Sequence, residues 1–289
     1  MRIRIILIAA LFWISGFGQE VQEQHCLWQV SGDKNIAYLM GSIHLLKKEH
    51  YPLDPVFDRA LGDVQHVVFE LHPDSLLDIK AQFAMLQSGL CDSGTTLAAL
   101  VSPRTYEIVK QKVEKMGLSM TGLEQFKPWY LATLLTAFEM NALGFDPQYG
   151  IELNFIEKSR AATKILHGLE TIRFQVGLFS GMADSLQDSL LVQTVQDMEE
   201  LDRDVEKLTS AWQRGDGPTL EEELLDNFLD YPQLYDRMIV SRNMNWLQQI
   251  DAFLKQEVNY LVIVGTGHLI GKDGLVELLR ARGYSIKQL

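Results

Sequence analysis

The stretch Tyr38–Leu45, YLMGSIHL, contains an apolar run, a glycine and, three residues after the glycine, a histidine. A second stretch of the same kind, Asn259–His268 with the sequence NYLVIVGTGH, lies near the other end of the chain. In both stretches an apolar run of strand length ends at Gly-x-x-His, which is typical of a buried strand followed by a sharp turn. Open α/β sheets usually bind ligands at the carboxyl ends of their strands, so the two units predict one shared site.

The composition is that of a folded, acidic protein. The chain has 289 residues, of which 47% are hydrophobic, so it can bury a substantial core. Its formal net charge is -12 at pH 7. A surface of that sign repels phosphate groups, and we therefore expect no nucleic-acid partner.

Residues 1–18 have the pattern of a secretory signal peptide: a basic start, a short apolar middle and small residues near Gly18. We expect residues 19–289 to form a single domain that is exported to the periplasm or the extracellular space. No later run approaches the ~20 apolar residues that a membrane-spanning helix requires. The sequence therefore predicts no integral membrane segment after removal of the signal peptide.

Two cysteines, Cys26 and Cys91, follow the signal peptide. Export makes a disulfide between them chemically permissible. Two cysteines do not establish a bridge, so the sequence leaves both a disulfide and two free thiols open.

The pattern of apolar residues predicts an α/β fold. Short strands are expected at both ends of the chain, whereas residues 74–251 show mainly helical spacing, interrupted by a strand within 163–170. Strand and helix units at both ends, around a long helical centre, indicate a mixed sheet with a large helical insertion. We expect the insertion to bring the two histidines together. The predicted strands are 26–30, 36–40, 65–71, 163–170, 260–264 and 284–286, and the main predicted helices are 56–61, 75–87, 102–116, 128–143, 151–162 and 273–282.

His44 and His268 are the first candidates for a metal site. Imidazole is a good ligand for zinc and related divalent ions, and one acid can complete a set of three ligands. Glu70 ends a strongly apolar strand, which favours it as the third ligand or as a general base. A single histidine is more often a hydrogen-bonded loop or core residue, but the repeated pattern favours a functional pair.

Three further residues are candidates for catalysis: Glu170, Arg242 and Asn243. Glu170 follows a predicted strand and precedes a helix, where a negative charge is also favoured by the helix dipole alone. Arg242 and Asn243 lie in a long predicted helix and could orient a carboxylate or a substrate carbonyl. Glu152, at another helix start, has the same simple explanation as Glu170.

The ordered series of motifs resembles the TraB/GumN family, which is related to the Tiki proteins. The resemblance covers nearly all of the chain after residue 18. It is carried by Gly41–His44, Tyr51–Leu53, Glu70, Lys127–Trp129, Gly150–Glu152, Gly168–Thr171, Arg242–Asn243 with Trp246, Gly265–His268, Asp273–Leu275 and Arg282–Tyr284.

The resemblance implies a metal-dependent hydrolase, and a peptidase in particular, in which both Gly-x-x-His histidines and an acid form the metal site. By position, His44, His268 and Glu70 fall on those motifs, and a divalent metal ion is the implied cofactor. The expected partner is a peptide or small-molecule substrate. Distant relatives of this fold bind haem, so the resemblance leaves open a non-catalytic protein that binds a metal, haem or another small ligand.

Overall fold

The structure, a computed structural model, describes residues 23–76, 78–228 and 230–289. The predicted signal peptide, residues 1–18, lies outside the described residues. Within them, no helix combines the length and the apolar character needed to cross a membrane.

Six strands form one mixed sheet in the order β4-β3-β5-β2-β1-β6. Strand β2 pairs in parallel with β5, and β3 pairs in parallel with both β5 and β4. Strand β1 is antiparallel to β2 and to β6. The strands are β1 (Leu27–Ser31), β2 (Ile36–Ser42), β3 (His66–Leu71), β4 (Ile165–Glu170), β5 (Tyr260–Gly265) and β6 (Ser285–Gln288).

The four parallel strands β2, β3, β4 and β5 therefore all end on the same side of the sheet, here called the carboxyl edge. The register places Gly41 beside Val264 and Ser42 beside Gly265. The two Gly-x-x-His units are thus neighbours in the sheet, and direct strand pairing brings them together. Our expectation that the helical insertion brings the two histidines together is wrong, because β2 pairs directly with β5.

Helices account for most of the chain between β3 and β5. The α-helices are α1 (Pro55–Gly62), α2 (Pro73–Leu76), α3 (Ile79–Gly89), α4 (Leu97–Leu100), α5 (Pro103–Lys115), α6 (Pro128–Ala142), α7 (Ile151–Ala161), α8 (Ile172–Ser180), α9 (Asp184–Asp197), α10 (Leu201–Gln213), α11 (Gly217–Leu225), α12 (Pro232–Tyr235), α13 (Ser241–Phe253) and α14 (Leu275–Ala281). A π-helical turn at Asp236–Val240 leads into α13, and 3₁₀ turns lie at Lys48–His50, Pro147–Tyr149, Asp226–Phe228 and Thr266–His268.

Local sequence explains where several helices begin. Asp54 accepts a hydrogen bond from the Val56 backbone N–H at the start of α1, and Ser102 accepts one from the Thr105 N–H in α5. Such side chains satisfy backbone donors that a helix start leaves free. Proline follows each cap at the first helical position, where its missing N–H costs nothing.

The helices pack around two main hydrophobic clusters. The sheet packs with α1, α7, α10, α13 and α14 around the large buried side chains Phe57, Phe155, Trp212, Trp246 and Leu275. Helices α4, α5, α6 and α9 enclose a separate cluster that includes Leu97, Val109, Leu131, Leu135 and Leu191. The mixed α/β fold with a large helical insertion is therefore confirmed, and the insertion has a hydrophobic core of its own.

Some local predictions differ from the structure. The helix predicted over 75–87 is divided between α2 and α3, because Asp78 caps a new helix start. Gly41 lies inside β2, whereas the prediction placed it just past the strand end. Both cysteines are free thiols: Cys26 is buried in the sheet core, and Cys91 is partly buried. Burial raises the pKa of the Cys26 thiol strongly, so the protonated form is favoured.

Candidate active site at the carboxyl edge

The carboxyl edge gathers the side chains that the sequence singled out. His44 follows β2, Glu70 lies near the end of β3, and Glu170 ends β4. His268 lies in the 3₁₀ turn after β5. The parallel register alone explains this arrangement, since the ends of these strands are adjacent in the sheet.

His44 forms an ion pair with Glu152, which lies in the first turn of α7. The His44 Nδ1 is 2.7 Å from the Glu152 Oε1, and the Ser42 hydroxyl donates to the same oxygen at 2.5 Å. The Glu152 side chain is 18% exposed, whereas that of His44 is 71% exposed. A mostly buried carboxylate therefore holds a largely exposed imidazole through its Nδ1.

The ion pair changes the acidity of both groups. The negative charge of Glu152 is the main cause that raises the pKa of His44 to about 9, and the hydrogen bond to Glu152 adds to this shift. Burial would raise the pKa of Glu152, but the charge and hydrogen bond of His44 outweigh it and lower that pKa. At neutral pH His44 is therefore a protonated imidazolium beside an ionised carboxylate.

Close packing places α7 against the segment that carries His44. A Cβ on Gly150, the residue before α7, would lie 2.1 Å from the His44 carbonyl oxygen. The Ile151 N–H donates to the Ile43 carbonyl at 3.1 Å. Glycine is required at this point because any side chain would push α7 and Glu152 away from His44.

Arg242, on α13, lies between the carboxylates of Glu70, near the end of β3, and Glu170, at the end of β4. Its guanidinium donates to Glu70 Oε2 at 2.6 Å and to Glu170 Oε2 at 2.9 Å. The Gln175 amide donates to both carboxylates, at 3.1 and 3.2 Å. The Arg242 guanidinium also lies over the Trp246 ring, 4.6 Å from its centroid, which is a cation–π contact.

The Arg242 network keeps Glu70 ionised despite its burial. Burial would raise the pKa of Glu70, but the neighbouring His268, Arg242 and His44 and the Gly265 N–H lower it to about 2. The Gly265 N–H donates to Glu70 Oε1 at 2.8 Å. Both oxygens of Glu70 therefore accept hydrogen bonds from protein donors at neutral pH.

Asn243 fixes the orientation and tautomer of His268. The Asn243 amide N–H donates to the backbone carbonyls of His268 and Asp273, so the amide oxygen faces His268 Nδ1 at 2.7 Å. His268 Nδ1 is then the protonated nitrogen, and Nε2 accepts from the Arg242 guanidinium at 2.9 Å. Burial lowers the pKa of His268 to about 3, which keeps the ring neutral.

A cleft of about 370 Å³ opens beside these groups, and we call it the His44 cleft. Three of its lining residues are His44, Glu70 and Glu152. Most of the remaining walls are apolar; the other lining residues are Phe69, Leu71, Leu76, Gln82, Pro147, Leu153, Ile156 and Gln175. Arg242, Asn243, Glu170 and His268 are not among the residues that line it. The cleft thus combines one imidazolium and two carboxylates with mainly apolar walls.

The arrangement does not fit a metal ion shared by His44, Glu70 and His268. The Arg242 guanidinium occupies the Glu70 oxygen and the His268 nitrogen that would face the ion, and it is itself a permanent cation. Within the described part of the chain, one group of three histidine, cysteine or acidic residues has all its ligand atoms within 4.8 Å of one another. This group is Glu23, His25 and Asp54. The assignment of His44, His268 and Glu70 as metal ligands stays a prediction.

The sequence located most of the groups at this edge but not all of their contacts. Glu70, Glu170, Arg242 and Asn243 belong to one hydrogen-bonded network that includes His268. Two residues that contact the candidate groups at the carboxyl edge were not among the predicted site residues: Glu152 and Gln175. Glu152 had a signal, because its motif Gly150–Glu152 was part of the resemblance. Gln175 had none, since a glutamine within an amphipathic helix is indistinguishable from a surface residue.

These features define the class of the protein: a mixed α/β protein whose paired Gly-x-x-His units meet at the carboxyl edge of a sheet. Residues 26–288 match the model of the TraB/PrgY/gumN family, and the chain belongs to that family.

The curated relatives have low sequence identity but match over most of their length. The chain is 24% identical over 243 residues to the uncharacterized protein YbaP of Escherichia coli (strain K12), which covers 84% of this chain and 87% of that protein. It is 23% identical over 244 residues to the uncharacterized protein YbaP of Shigella flexneri, which covers 84% of this chain and 88% of that protein. No solved structure is significantly similar to the chain.

Proposed function

We propose that the protein is an exported hydrolase that acts on a peptide or small-molecule substrate in the His44 cleft. The observation that carries the proposal is the exposed His44 imidazolium, which is held by the mostly buried Glu152 in a largely apolar cleft that Glu70 also lines. A positioned histidine with a carboxylate partner is a common proton-transfer pair in enzymes. The apolar walls favour a substrate with an apolar side chain or acyl group.

The protonation states assign a role to each group. With a pKa of about 9, His44 carries a proton at neutral pH, so its Nε2–H can donate to a carbonyl oxygen or to a leaving group. Glu70, with a pKa of about 2, is a weak base and would orient the attacking water through hydrogen bonds. Arg242 and Asn243 act through other residues, since they hold Glu70 and His268 in place.

The sequence-based form of this proposal includes a divalent metal ion at His44, His268 and Glu70. That form requires Arg242 to move away from Glu70 and His268, so its central test is metal dependence. Activity that survives removal of metal by a chelator would contradict it. Activity that is lost and then restored by a divalent ion, in wild type but not in His268→Ala, would support it.

The proposal is tested by hydrolysis of fluorogenic peptides and of chromogenic esters whose acyl chains differ in length. We expect turnover by the wild-type protein and a loss of at least ~100-fold in His44→Gln, the size typical of an acid–base group. His66→Gln is the matched control, because His66 lies at the opposite end of β3. Absence of turnover on all substrates, or equal turnover in wild type and a folded His44→Gln variant, would overturn the proposal.

A non-catalytic binding protein is the second candidate. The observation that favours it is the Arg242 network, in which both Glu70 oxygens and both His268 nitrogens already have hydrogen-bond partners. A haem absorption band, or tight binding of an apolar ligand in the His44 cleft without turnover, would favour binding over hydrolysis.

A further inference from the structure

A second group of chemically active side chains lies in a different cleft. Glu23, His25 and Asp54 line a cleft of about 390 Å³, together with part of α1 and the end of α10. His25 precedes β1, and Asp54 caps α1. None of the three lines the His44 cleft.

The spacing of these groups suits a metal ion better than a direct hydrogen bond. The His25 Nε2 lies 3.5 Å from the Asp54 Oδ2, beyond the usual 2.7–3.2 Å of an N–H···O hydrogen bond. Two ligands that are each ~2.1 Å from a tetrahedral zinc ion are about 3.4 Å apart. One ligand atom from Glu23 completes a set in which all three atoms lie within 4.8 Å of one another.

The other atoms of these side chains are anchored by the protein backbone. The His25 Nδ1 faces the Leu289 backbone oxygen at 3.3 Å, a long hydrogen bond, and this orientation of the ring leaves the Nε2 lone pair free. Metal-binding histidines are commonly oriented in this way by a carbonyl acceptor. The Asp54 Oδ1 accepts from the Val56 N–H at 2.7 Å, which leaves Oδ2 towards His25.

The two carboxylates favour a cation here, and packing holds the His25 ring in place. His25 is only 9% exposed, and the Phe57 ring packs edge-on against it with 5.7 Å between centroids. Within residues 23–76, 78–228 and 230–289, neither Glu23 nor Asp54 forms an ion pair with a lysine or arginine. One imidazole and two carboxylates, with cleft space for water, is a donor set that suits zinc and similar first-row divalent ions.

We propose that Glu23, His25 and Asp54 bind a divalent first-row transition-metal ion, which links the segment before β1 to the start of α1. Leu289 is joined to the same point, because the His25 N–H donates to its backbone oxygen at 2.6 Å. Metal binding should therefore stabilise the fold where the segment before β1 meets the start of α1. This inference does not depend on the proposed hydrolase activity.

The test is calorimetric titration of Zn²⁺ into chelator-treated full-length protein, combined with thermal unfolding. We expect one saturable site and a higher unfolding midpoint with Zn²⁺. Asp54→Asn should weaken Zn²⁺ binding at least tenfold while it preserves the helix cap, because asparagine caps helices as well as aspartate does. Asp78→Asn is the matched control, since Asp78 caps α3 through the same type of contact to Lys80 N–H.

Two more variants locate the ion. His25→Gln should weaken Zn²⁺ binding as Asp54→Asn does, whereas His44→Ala should leave it unchanged. Absence of saturable Zn²⁺ binding would overturn the proposal. So would binding that survives Asp54→Asn and His25→Gln but is lost in His44→Ala, because the ion would then lie at the carboxyl edge.

Discussion

At the scale of single residues, the protonation of each histidine at the carboxyl edge depends on the side chains next to its ring. His44 and His268 follow the same sequence motif but have opposite properties. His44 is exposed beside Glu152, which favours its protonated form, whereas His268 is buried between Asn243 and Arg242 and stays neutral. The two histidines can therefore differ in charge at the same pH.

The first prediction concerns the charge of His44. Replacing Glu152 by glutamine removes the main cause of the raised pKa, so the pKa of His44 should fall from about 9 towards the ordinary 6.5. Titration of the His44 ring protons by NMR measures this shift directly. Glu157→Gln, which changes an exposed acid on the same helix, should leave the pKa of His44 unchanged. An unshifted pKa in Glu152→Gln would show that another group protonates His44.

The second prediction concerns Arg242. In Arg242→Met the carboxylates of Glu70 and Glu170, which are 15% and 5% exposed, lose their shared cation. Leaving one side of a buried ion pair without a partner typically costs about 3–5 kcal/mol, and we expect a loss of this size in the free energy of unfolding. Urea unfolding at pH 7 provides the measurement. Arg203→Met is the control and should change stability little, because it breaks only exposed ion pairs. An equally small loss of stability in Arg242→Met would contradict the prediction.

At the scale of secondary-structure elements, the site depends on how closely α7 approaches the end of β2. Helix α7 carries Glu152, and its distance from His44 is set by Gly150. On the other side, a Cβ on Gly41 would lie 2.8 Å from the Thr266 hydroxyl oxygen, so β2 and the turn after β5 are also in close contact. Glycines here allow close packing of neighbouring elements.

The third prediction tests that packing. Gly150→Ala should force α7 away from the His44 carbonyl, with a loss of about 1–3 kcal/mol in stability and a lower pKa of His44. Gly177→Ala, inside α8 with open space around the added Cβ, should be neutral or stabilising by up to about 1 kcal/mol. Urea unfolding and the His44 titration together provide the readout. A Gly150→Ala protein with unchanged stability and an unchanged His44 titration would show that α7 can shift without effect.

At the scale of the whole molecule, the carboxyl edge links folding stability to pH. Folded His268 binds a proton only near pH 3, whereas an unfolded histidine does so near 6.5, so stability from this group is lost as pH falls from 6.5 to 3. Folded Glu70 has a pKa of about 2 against an ordinary 4.5, so its contribution is lost as pH falls from 4.5 to 2. Both groups therefore lower the stability of the folded protein as the pH falls.

The fourth prediction follows from that linkage. The free energy of unfolding should decrease as pH falls below 6.5 and decrease more steeply below 4.5, as measured by urea unfolding at a series of pH values. In His268→Gln the decrease between pH 6.5 and 4.5 should become smaller, because that group no longer titrates. A decrease of the same size in wild type and in the variant would show that other groups cause the acid sensitivity.

The sequence by itself determined the fold class, the approximate strands and the two Gly-x-x-His units at the ends of two of those strands. These follow from local rules: continuous apolar runs form buried strands, and glycine permits the turn at their ends. It also identified Glu70, Glu170, Arg242 and Asn243 as candidates. Hydrophobic periodicity is encoded within short segments, so it can be read without the rest of the molecule, whereas the pairing of β2 with β5 joins segments from opposite ends of the chain.

Only the tertiary structure decided the partners of these groups. That Glu152 holds His44, that Arg242 lies between Glu70 and His268, and that Cys26 is a free thiol all depend on contacts between distant elements. Such contacts change with shifts of about 1 Å in helix position, and sequence spacing does not specify helix positions that finely. The sequence therefore placed the candidate groups at one edge, and packing determined their charge and their access to the cleft.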